Sequence, residues 1–393
     1  MTCLLPGGFA AAGVASGIKP DGRLDLALVA VTTGPPATAA AVFTENLSVA
    51  APVVLSRAHL LASDAQVRAV ILNSGCANAA TGDEGVRAAA LMADTTARHL
   101  RAEPEQVLVC STGPIGHQLP PRPLESGIPA ACAALESSEE ALARAARAIM
   151  TTDRREKLAS ASLASGPQVT GIAKGAGMIA PNMASATMLA VLMTDAIVSA
   201  PDLQAALDHA VDHTFNRLTI DGCMSTNDTV ILLASGVSGI AAGAVELVEG
   251  VTVVCADLAH QMAADAEGGT KVVHVRVTGA ADDASALKGA RAVAESLLVK
   301  CSWYGEDPNW GRVVSALGAA GVLFDQSAVL VAYGPEVVCR DGMPVDFDHE
   351  VVASYLALPE FELNCDLGLG GGAAEILSAD LTHAYVDENM GHS

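Results

Sequence analysis

Short apolar runs alternate along the chain with longer amphipathic segments, and the two patterns predict different elements. Runs that are continuously apolar or alternate with a period of two predict strands, namely LDLALVAV (24–31), TAAAVFTEN (38–46), APVVLSR (51–57), VRAVILNSG (67–75), QVLVCSTG (106–113), DTVILLASG (228–236) and KVVHVRVTGA (271–280). Apolar residues at helical spacing predict helices within residues 83–100, 138–150, 205–218, 246–268 and 282–301. This interleaving predicts an α/β fold and is typical of a parallel sheet.

The apolar run from Met188 to Met193 is closed by Thr194 and Asp195. A helix that spans a membrane needs about 20 apolar residues, so this run predicts a short buried strand instead. The opening segment has no basic region, and Pro6 interrupts its apolar run, so we expect no signal peptide. No G-x-G-x-x-G turn follows an early strand and no Walker A sequence occurs, which argues against the common nucleotide-binding motifs.

Composition limits the class of protein. The 393 residues are 51% hydrophobic and 17% charged, which predicts a folded chain with two domains or one large layered domain. Acidic residues outnumber basic ones by 44 to 22, for a formal charge of −22, so nucleic acid and anionic membranes are poor partners. Nine scattered cysteines without a C-x-x-C pair and ten histidines without an H-E-x-x-H pattern predict reduced thiols in a cytoplasmic protein and no metal.

The segment KGAGMIAPNMASATMLAVLMTDA (174–196) places the hydroxyl residue Thr187 at the start of the predicted strand, after a series of small residues. Such a hydroxyl can attack the preceding carbonyl, here that of Ala186, and hydrolysis of the ester would leave Thr187 as a new N-terminus. Its α-amine, with an ordinary pKa of about 8, can then act as general base to its own hydroxyl. Threonine is also common at the start of ordinary strands, so the local sequence leaves both interpretations open.

Other candidate residues carry chemistry that suits acyl transfer. Thr112 and Gly113 in CSTGPIG offer a hydroxyl and a backbone N–H at the end of a predicted strand, and both can donate to an oxyanion. Lys174 offers a cation for a carboxylate, and Glu267 stands at a predicted helix end, where the macrodipole disfavours an anion. A plain turn, a solvated lysine and a solvated acid are the structural alternatives. For the polar cluster DPNWGR (307–312) we expect a structural role.

The segment around Thr187 resembles the signature of the ornithine acetyltransferase family, the bifunctional glutamate N-acetyltransferases of arginine biosynthesis. The blocks GFAAAGVASGIK, AVFTENLSVAAPV, ILNSGCANAATG, CSTGPIG, AIMTTD, DGCMSTNDTV, DAEGGTK, DPNWGRV and DLTHAYVDEN also resemble family blocks, in the family's order. The resemblance covers essentially the whole chain. It implies a self-processing αββα sandwich with the layout of Ntn hydrolases, an α chain of residues 1–186, a β chain of residues 187–393 and a smaller C-terminal α/β region at about 280–393.

The resemblance also implies a reaction. The acetyl group would pass from N2-acetylornithine to Thr187 and then to glutamate, giving ornithine and N-acetylglutamate, and the two cleaved chains would assemble as α2β2. No cofactor is implied; acetyl-CoA is a further donor in bifunctional members, which share these motifs with monofunctional ones. Thr112 and Gly113 would form the oxyanion site. The substrate ligands that the resemblance implies are Thr152 (with Thr151 as the alternative), Lys174, Thr187, Glu267, Asn389 and Ser393.

The chain departs from the family's pattern in ways that bear on these assignments. The family usually has M-A-T-M-L, whereas Ser185 and Ala186 are inserted here before Thr187. Thr187 keeps the register with the following strand, and a nucleophile at Ser185 would move the hydroxyl by about 7 Å. The final NMGHS is one residue shorter than usual, so Ser393 is expected to replace the last ligand. Cys76 replaces an asparagine, and nothing nearby in the sequence supplies it with a base.

Two alternatives stand beside the acetyltransferase. A related self-cleaving aminopeptidase or amidase would use the same nucleophile but pass the acyl group to water. An inactive relative would bind without reacting, and the longer loop before Thr187 and the shorter tail are the features that favour it. We predict a cytoplasmic, self-processing acetyltransferase with no metal, no nucleic-acid partner and no membrane partner.

Overall fold

The computed structural model describes residues 4–180 and 188–390. The predicted cleavage pair Ala186 and Thr187, the alternative nucleophile Ser185 and the predicted ligand Ser393 therefore lie outside the described residues. Within the two described ranges, no helix has the length and apolar character needed to cross a membrane.

Strands and helices interleave along the chain, as the sequence pattern predicts. In chain order the strands are β1 Phe9–Val14, β2 Leu26–Val31, β3 Ala37–Phe43, β4 Gln66–Val67, β5 Ala69–Ser74, β6 Val107–Thr112, β7 Lys157–Ser162, β8 Gln168–Lys174, β9 Leu189–Thr194, β10 Leu218–Thr219, β11 Thr229–Ala234, β12 Val272–Ala280, β13 Leu330–Tyr333, β14 Glu336–Arg340, β15 Met343–Pro344, β16 Glu360–Asp366 and β17 Gly372–Ala379. The helices are α1 Ala51–Ala62, α2 Gly82–Leu100, α3 Pro121–Ala133, α4 Glu139–Ala148, α5 Ala200–His213, α6 Ala244–Ala264, α7 Asp283–Glu295, α8 Leu297–Tyr304, α9 Trp310–Ala319, α10 His349–Leu356 and α11 His383–Asn389.

The chain divides into two compact units. The first contains the described residues up to Asn216 together with Cys223–Met262. The second contains Arg217–Gly222 and the described residues from Ala263 onward. The second unit thus includes the region from about residue 280 that we expected to form a smaller domain.

Two β-sheets form the centre of the first unit. One has the order β1-β2-β5-β6, and the other has the order β4-β3-β11-β9-β8-β7. Their apolar faces meet in a shared core, to which β2, β6, β9 and β11 contribute the fully buried side chains of Val29, Leu108, Val191 and Ile231. Since alternate residues of a strand face the same side, a core built from both sheets requires that they stack face to face.

Helices cover the outer face of each sheet. On the four-stranded sheet, Met92 of α2 and Leu124 of α3 are fully buried against the strands. On the six-stranded sheet, α6 crosses β8 at Gly171, where a Cβ would lie 3.0 Å from Leu258 and 3.1 Å from Val254. The absence of a side chain at Gly171 therefore lets the helix lie close to the sheet. The first unit is an αββα sandwich, which confirms the predicted layer order.

Two expectations for the first unit were wrong. Residues 51–57 begin helix α1 instead of forming a strand, because Pro52 stands in the first turn, where its missing N–H costs nothing, and Val53 and Ser56 bury one face. The sheets are also not mainly parallel. Among the described strands of this unit, β5 and β6 pair in parallel, as do β9 and β11, and the other pairs are antiparallel. Neighbours in sequence such as β7 and β8 pair directly through a short connection, which parallel strands cannot do.

A seven-stranded mixed sheet forms the centre of the second unit, in the order β10-β17-β12-β16-β13-β14-β15. Strand β12 alternates buried and more exposed positions, and its Val275 and Val277 face a core with Val293 of α7, Trp303 of α8 and Leu317 of α9. This period-two pattern is the one expected of a sheet with one buried face.

The polar cluster at residues 307–312 makes structural contacts of the kind that we expected. Asn309 caps helix α9 by accepting the N–H of Arg312, and its side-chain amide donates to Asp307 Oδ2 at 3.0 Å. The guanidinium of Arg312 donates to the carbonyl of Leu298 at 2.8 Å. These bonds fix the start of α9 against α8.

Candidate active site

Strand β6 ends at a tight turn that carries Thr112 and Gly113. The carbonyl of Thr112 accepts the N–H of Cys76 at 3.1 Å, which joins the turns that follow β5 and β6. Gly113 has a φ of +137°, and a Cβ there would lie 2.5 Å from the Cys76 nitrogen. Glycine alone fits this conformation without displacing the neighbouring backbone. The close approach therefore fixes the backbone of the predicted oxyanion pair.

Buried polar side chains support this turn. Ser111 Oγ donates to Asn73 Oδ1 at 2.6 Å, and Asn73 Nδ2 donates to the Cys76 carbonyl at 2.9 Å. Asn227, two residues before β11 of the other sheet, donates to the carbonyls of Ala77 at 2.6 Å and Ser111 at 2.9 Å. Because satisfied polar networks rigidify buried regions, these bonds hold the ends of the two facing sheets together.

A buried charge cluster lies beside the turn. Lys174, the last residue of β8, has 2% of its side chain exposed, and its Nζ donates to the Thr112 hydroxyl at 3.3 Å. The same Nζ lies 4.0 Å from Asp153 Oδ2, and Lys157 Nζ donates to Asp153 Oδ1 at 2.7 Å. Two buried ammonium groups thus meet one buried carboxylate. This corner of an acidic protein is cationic.

Asp153 stays ionised in the cluster. Burial by itself raises the pKa of Asp153, but the ammonium groups of Lys174 and Lys157 and the surrounding N–H donors lower it to about 2. The donors include the backbone N–H of Gly175, 2.7 Å from Oδ1, and that of Thr151, 2.9 Å from Oδ2. Asp153 therefore ties the loop after α4 to the end of β8.

The described chain resumes at Met188, directly before β9. This strand lies between β8 and β11, and its first residue, Leu189, is opposite Lys174 on β8 and opposite Thr229 on β11. Asp228 Oδ1 accepts the N–H of Met188 at 2.7 Å. The start of β9 is therefore flanked by Lys174 on one side and by Asp228 on the other.

Asp228 is a site residue that our sequence analysis missed. It is fully buried, and no hydrogen bond of standard geometry reaches its Oδ2 from the residues that the structure describes, although Ser225 lies close enough to act on the carboxylate. Burial raises the pKa of Asp228 well above its ordinary value, against the opposing effects of the Met188 N–H, Lys174 and Ser225. In the sequence Asp228 stands directly before TVILLA (229–234), which is apolar after its first residue, and such a position by itself does not distinguish it from an ordinary turn residue.

In the second unit, the predicted ligands Glu267 and Asn389 are in contact. Glu267 follows α6 and is 9% exposed, and Asn389 is the last residue of α11. Asn389 Nδ2 donates to Glu267 Oε2 at 2.8 Å and to the Tyr385 carbonyl at 2.9 Å. Gly268 permits this contact, because its φ is +62° and a Cβ there would lie 2.2 Å from the Tyr385 nitrogen. Residues far apart in sequence are thus brought together.

The remaining predicted ligand, Thr152, directly precedes Asp153 and is exposed, whereas the alternative, Thr151, donates its backbone N–H to that carboxylate. The catalytic and binding roles of all these residues stay predictions. In the part of the chain that the structure describes, no three His, Cys, Asp or Glu side chains are grouped as metal ligands.

The fold and the site define a mixed α/β protein in which the ends of two stacked sheets bring a buried lysine to a Thr-Gly turn. A model of the ArgJ family matches residues 10–393. The chain is 44% identical to the arginine biosynthesis bifunctional protein ArgJ of Thermobifida fusca over 100% of both chains, and 46% identical to that of Bifidobacterium longum over 97% of both. The crystal structure of arginine biosynthesis bifunctional protein argJ from Bacillus halodurans matches with a TM-score of 0.50 and 36% identity, over 51% of this chain and 98% of that chain. The chain belongs to the ArgJ family.

Proposed function

We propose that this protein is an acetyltransferase of arginine biosynthesis that passes the acetyl group of N2-acetylornithine to glutamate through acetyl-Thr187. Membership of the ArgJ family and the names of its relatives support the pathway. The observation that supports this chemistry is a set of contacts at the start of β9, the strand that begins two residues after Thr187. Its first residue pairs with Lys174, and Lys174 reaches the Thr112 hydroxyl at 3.3 Å.

The proposed self-processing step precedes transfer. Thr187 Oγ attacks the carbonyl carbon of Ala186, and the C–N bond breaks as the nitrogen gains the proton that Oγ loses. Water then hydrolyses the ester, which leaves a carboxylate on Ala186 and a free α-amine and hydroxyl on Thr187. The Bacillus halodurans chain agrees with a division near the middle, since nearly its whole length matches about half of this chain.

In the proposed transfer, Thr187 Oγ attacks the acetyl carbonyl of N2-acetylornithine while its α-amine accepts the hydroxyl proton. The bond to N2 breaks, N2 takes that proton, and ornithine leaves. The α-amine of glutamate then attacks the acetyl ester, and the Thr187 oxygen regains a proton as N-acetylglutamate leaves. Both steps pass through a tetrahedral oxyanion, to which the Thr112 hydroxyl and the Gly113 N–H would donate. Because Lys174 donates to the Thr112 hydroxyl oxygen, the hydroxyl proton is directed away from Lys174.

The proposal keeps the substrate ligands that the family resemblance implies. Lys174 would bind a substrate carboxylate, since a protein of charge −22 needs a local cation for that purpose. The Glu267 carboxylate, held by Asn389, would bind an amine of ornithine, and Thr152 and Ser393 would complete the set. We further propose a cytoplasmic α2β2 assembly without a resident cofactor, in which acetyl-CoA serves as a second acetyl donor.

Two measurements on the purified wild-type protein test this proposal. Denaturing intact mass with N-terminal sequencing should find a chain that begins at Thr187; a chain beginning at Ser185 would move the nucleophile, and one uncut chain would contradict self-processing. Incubation with N2-acetylornithine should give N-acetylglutamate when glutamate is present. Acetate release that is independent of glutamate would instead identify an amidase.

A pair of variants separates the two hydroxyl residues before β9. Thr187→Ala should remain one uncut chain and should transfer no acetyl group, because it lacks the attacking oxygen. Ser185→Ala is the matched control, and it should be cut and active like the wild type. A Thr187→Ala protein that is cut and active would overturn the proposal.

A further inference from the structure

Lys19 is a buried lysine that has no part in the steps proposed above. Only 7% of the residue is exposed. Its Nζ donates to the carbonyl of Leu24 at 2.9 Å and to the carbonyl of Met150 at 2.8 Å. Leu24 belongs to the same loop as Lys19, whereas Met150 lies 131 positions away in the sequence. The second bond therefore joins two loops that are distant in the chain.

The charge of Lys19 is kept at a cost in free energy. Its pKa is lowered from 10.5 to about 8, chiefly by burial. Arg23 and Lys174 lower this pKa as well, and the carboxylates of Asp25 and Asp21 oppose them. Perturbed titratable groups concentrate at functional sites, so a buried lysine that senses the charge of Lys174 is a candidate for a role in the site.

The Met150 carbonyl belongs to the peptide bond between Met150 and Thr151. The N–H of the same peptide donates to Asp153 Oδ2 at 2.9 Å. Because a peptide bond is planar, one plane is held at its oxygen by the Lys19 ammonium and at its nitrogen by the Asp153 carboxylate. Hydrogen bonds to ionised groups are stronger than those between neutral groups. The orientation of this peptide is therefore fixed from both sides.

We propose that Lys19 is a positioning residue for Thr152: its bond to the Met150 carbonyl fixes the loop after α4 and so holds the Thr152 hydroxyl where it binds the substrate. This inference rests on the proposed function, in which Thr152 is a substrate ligand. Thr152 is exposed, and it stands between the fixed peptide and the buried Asp153. The chain is thus anchored on both sides of a side chain that solvent and ligands can reach.

Lys19 is itself held in place. The fully buried carboxylate of Asp25 accepts the backbone N–H groups of Ser16 at 2.6 Å, Gly17 at 3.0 Å and Lys19 at 2.9 Å. The stem of Lys19 passes over Gly75, directly after β5, where a Cβ would lie 3.0 Å from the lysine Cγ. A group that positions another must be fixed by its own neighbours, and these contacts meet that condition.

A positioning role predicts a change in KM more than in kcat. A displaced ligand residue weakens the binding of the substrate in the ground state and in the transition state alike, which raises KM and leaves kcat almost unchanged. A purely structural role would instead lower the stability of the protein and leave the KM of the folded molecules as it was. The two roles can therefore be told apart by kinetics.

Lys19→Met removes the donors of Lys19 and keeps an apolar stem. We expect it to raise the KM for N2-acetylornithine at least about 10-fold and to change kcat by less than about threefold. Lys19→Gln, whose shorter side chain does not reach both carbonyls, is a second variant with the same expected result. Lys288→Met is the matched control, because it removes a positive charge from an exposed position of α7, and its KM should equal that of the wild type. An unfolding curve and denaturing intact mass establish that each variant is folded and is cut like the wild type.

A double-mutant cycle tests whether Lys19 acts through Thr152. Thr152→Val removes the hydroxyl that Lys19 is proposed to position. In that background Lys19→Met should change KM by less than about twofold, since coupled residues are not additive. Thr151→Val is the control background, and there Lys19→Met should keep its full effect.

Three results would overturn this inference. They are a wild-type KM in folded Lys19→Met or Lys19→Gln, an equal effect of Lys19→Met with and without the Thr152 hydroxyl, and an unchanged KM in Thr152→Val itself. The third decides the matter even where a Lys19 variant does not fold. All three leave the proposed function standing, since the wild-type protein still transfers the acetyl group. A wild-type protein that transfers no acetyl group from N2-acetylornithine to glutamate would overturn the proposed function, and with it the role of Lys19.

Discussion

Lys174 and Lys157 share one carboxylate, and the geometry distinguishes what each of them does. Lys157 makes the short bond to Asp153, at 2.7 Å, while Lys174 lies 4.0 Å from it and donates to Thr112. Lys157 therefore neutralises the carboxylate of Asp153, and Lys174 is held between that carboxylate and the Thr-Gly turn. At this scale the site depends on buried charge, which makes it sensitive to acid.

Asp153→Asn should change how the protein responds to acid. The pKa of Asp153 is about 2 against an ordinary 3.8, so its ionised form contributes stability that is present above about pH 4 and is lost as pH falls toward 2. One pKa unit corresponds to about 1.4 kcal/mol, so the wild type should lose about 1–2 kcal/mol more than the variant between pH 5 and pH 2.5. Urea unfolding across this range measures the difference. The exposed substitution Asp257→Asn is the control, and equal acid sensitivity of Asp153→Asn and wild type would contradict the prediction.

Gly113→Ala should disable the turn that carries the predicted oxyanion donors. Its Cβ would lie 2.5 Å from the Cys76 nitrogen at a φ of +137°, so we expect a loss of about 2–3 kcal/mol in stability and at least about 100-fold in transfer. Gly116→Ala is the matched control, since Gly116 also has a positive φ but no atom within 4 Å of the added Cβ. It should cost about 1 kcal/mol and keep transfer. Similar losses in the two variants would mean that the strained φ alone explains the effect and that the contact with Cys76 adds nothing to it.

At the scale of elements, the sequence predicted most strands but not how they pair. Strands such as β6 and β11 are apolar runs bounded by turn residues, and they occur where the pattern predicts them. The segment 51–57 was misassigned because seven residues are too few to reveal a helical period. Pairing is not encoded in the local pattern, since β11 joins β9 in parallel and β3 antiparallel.

The same limit applies to the site. Lys174, Thr112 and Glu267 stand in motifs whose chemistry can be recognised locally, and the first two are in contact. Asp228 bonds to a residue 40 positions away and Asn227 to one 150 positions away. A carboxylate or an amide before an apolar strand resembles any other turn residue until the sheet has formed, so these two residues could not be predicted from the chain alone.

Gly171→Ala should loosen the packing of α6 on its sheet. The added Cβ would lie 2.4 Å from a methyl of Leu192 and about 3 Å from Val254 and Leu258, so overpacking should cost about 1–3 kcal/mol. Gly318→Ala, in α9, adds a Cβ with no atom within 4 Å and should stabilise by about 0.5–1 kcal/mol. Denaturant midpoints of both variants measure the effect, and the prediction is wrong if the two substitutions shift the midpoint in the same direction.

At the scale of the whole molecule, the net charge of −22 opposes anionic ligands while the corner at Lys174 attracts them. Exposed charges are screened by salt, and a buried group is screened much less. Salt should therefore weaken the repulsion at long range more than the attraction at the site.

If glutamate is the acetyl acceptor, as we propose, raising the ionic strength from about 10 mM to about 150 mM should lower its KM by about twofold, because the Debye length falls from about 30 Å to about 8 Å. N2-acetylornithine serves as the internal control, since its carboxylate and ammonium cancel and its KM should change little. Steady-state kinetics with each substrate varied at saturating partner measure both constants. A KM for glutamate that rises with salt would mean that the cationic corner at Lys174, and not the net charge of the protein, governs how glutamate associates with the site.

Strand β9 is an interior strand, held by β8 on one side and β11 on the other. If the chain is cut before Thr187, a terminus arises inside a sheet that has already formed, whereas the ends of most chains lie at the surface. The fold of the cut protein would then form before the cut, while the chain is still continuous. Two separate chains would instead have to insert β9 between β8 and β11 in order to assemble the same sheet. Once denatured, the cut form should not refold. Its stability is therefore kinetic, which means that it is determined by the rate of unfolding and not by a folding equilibrium.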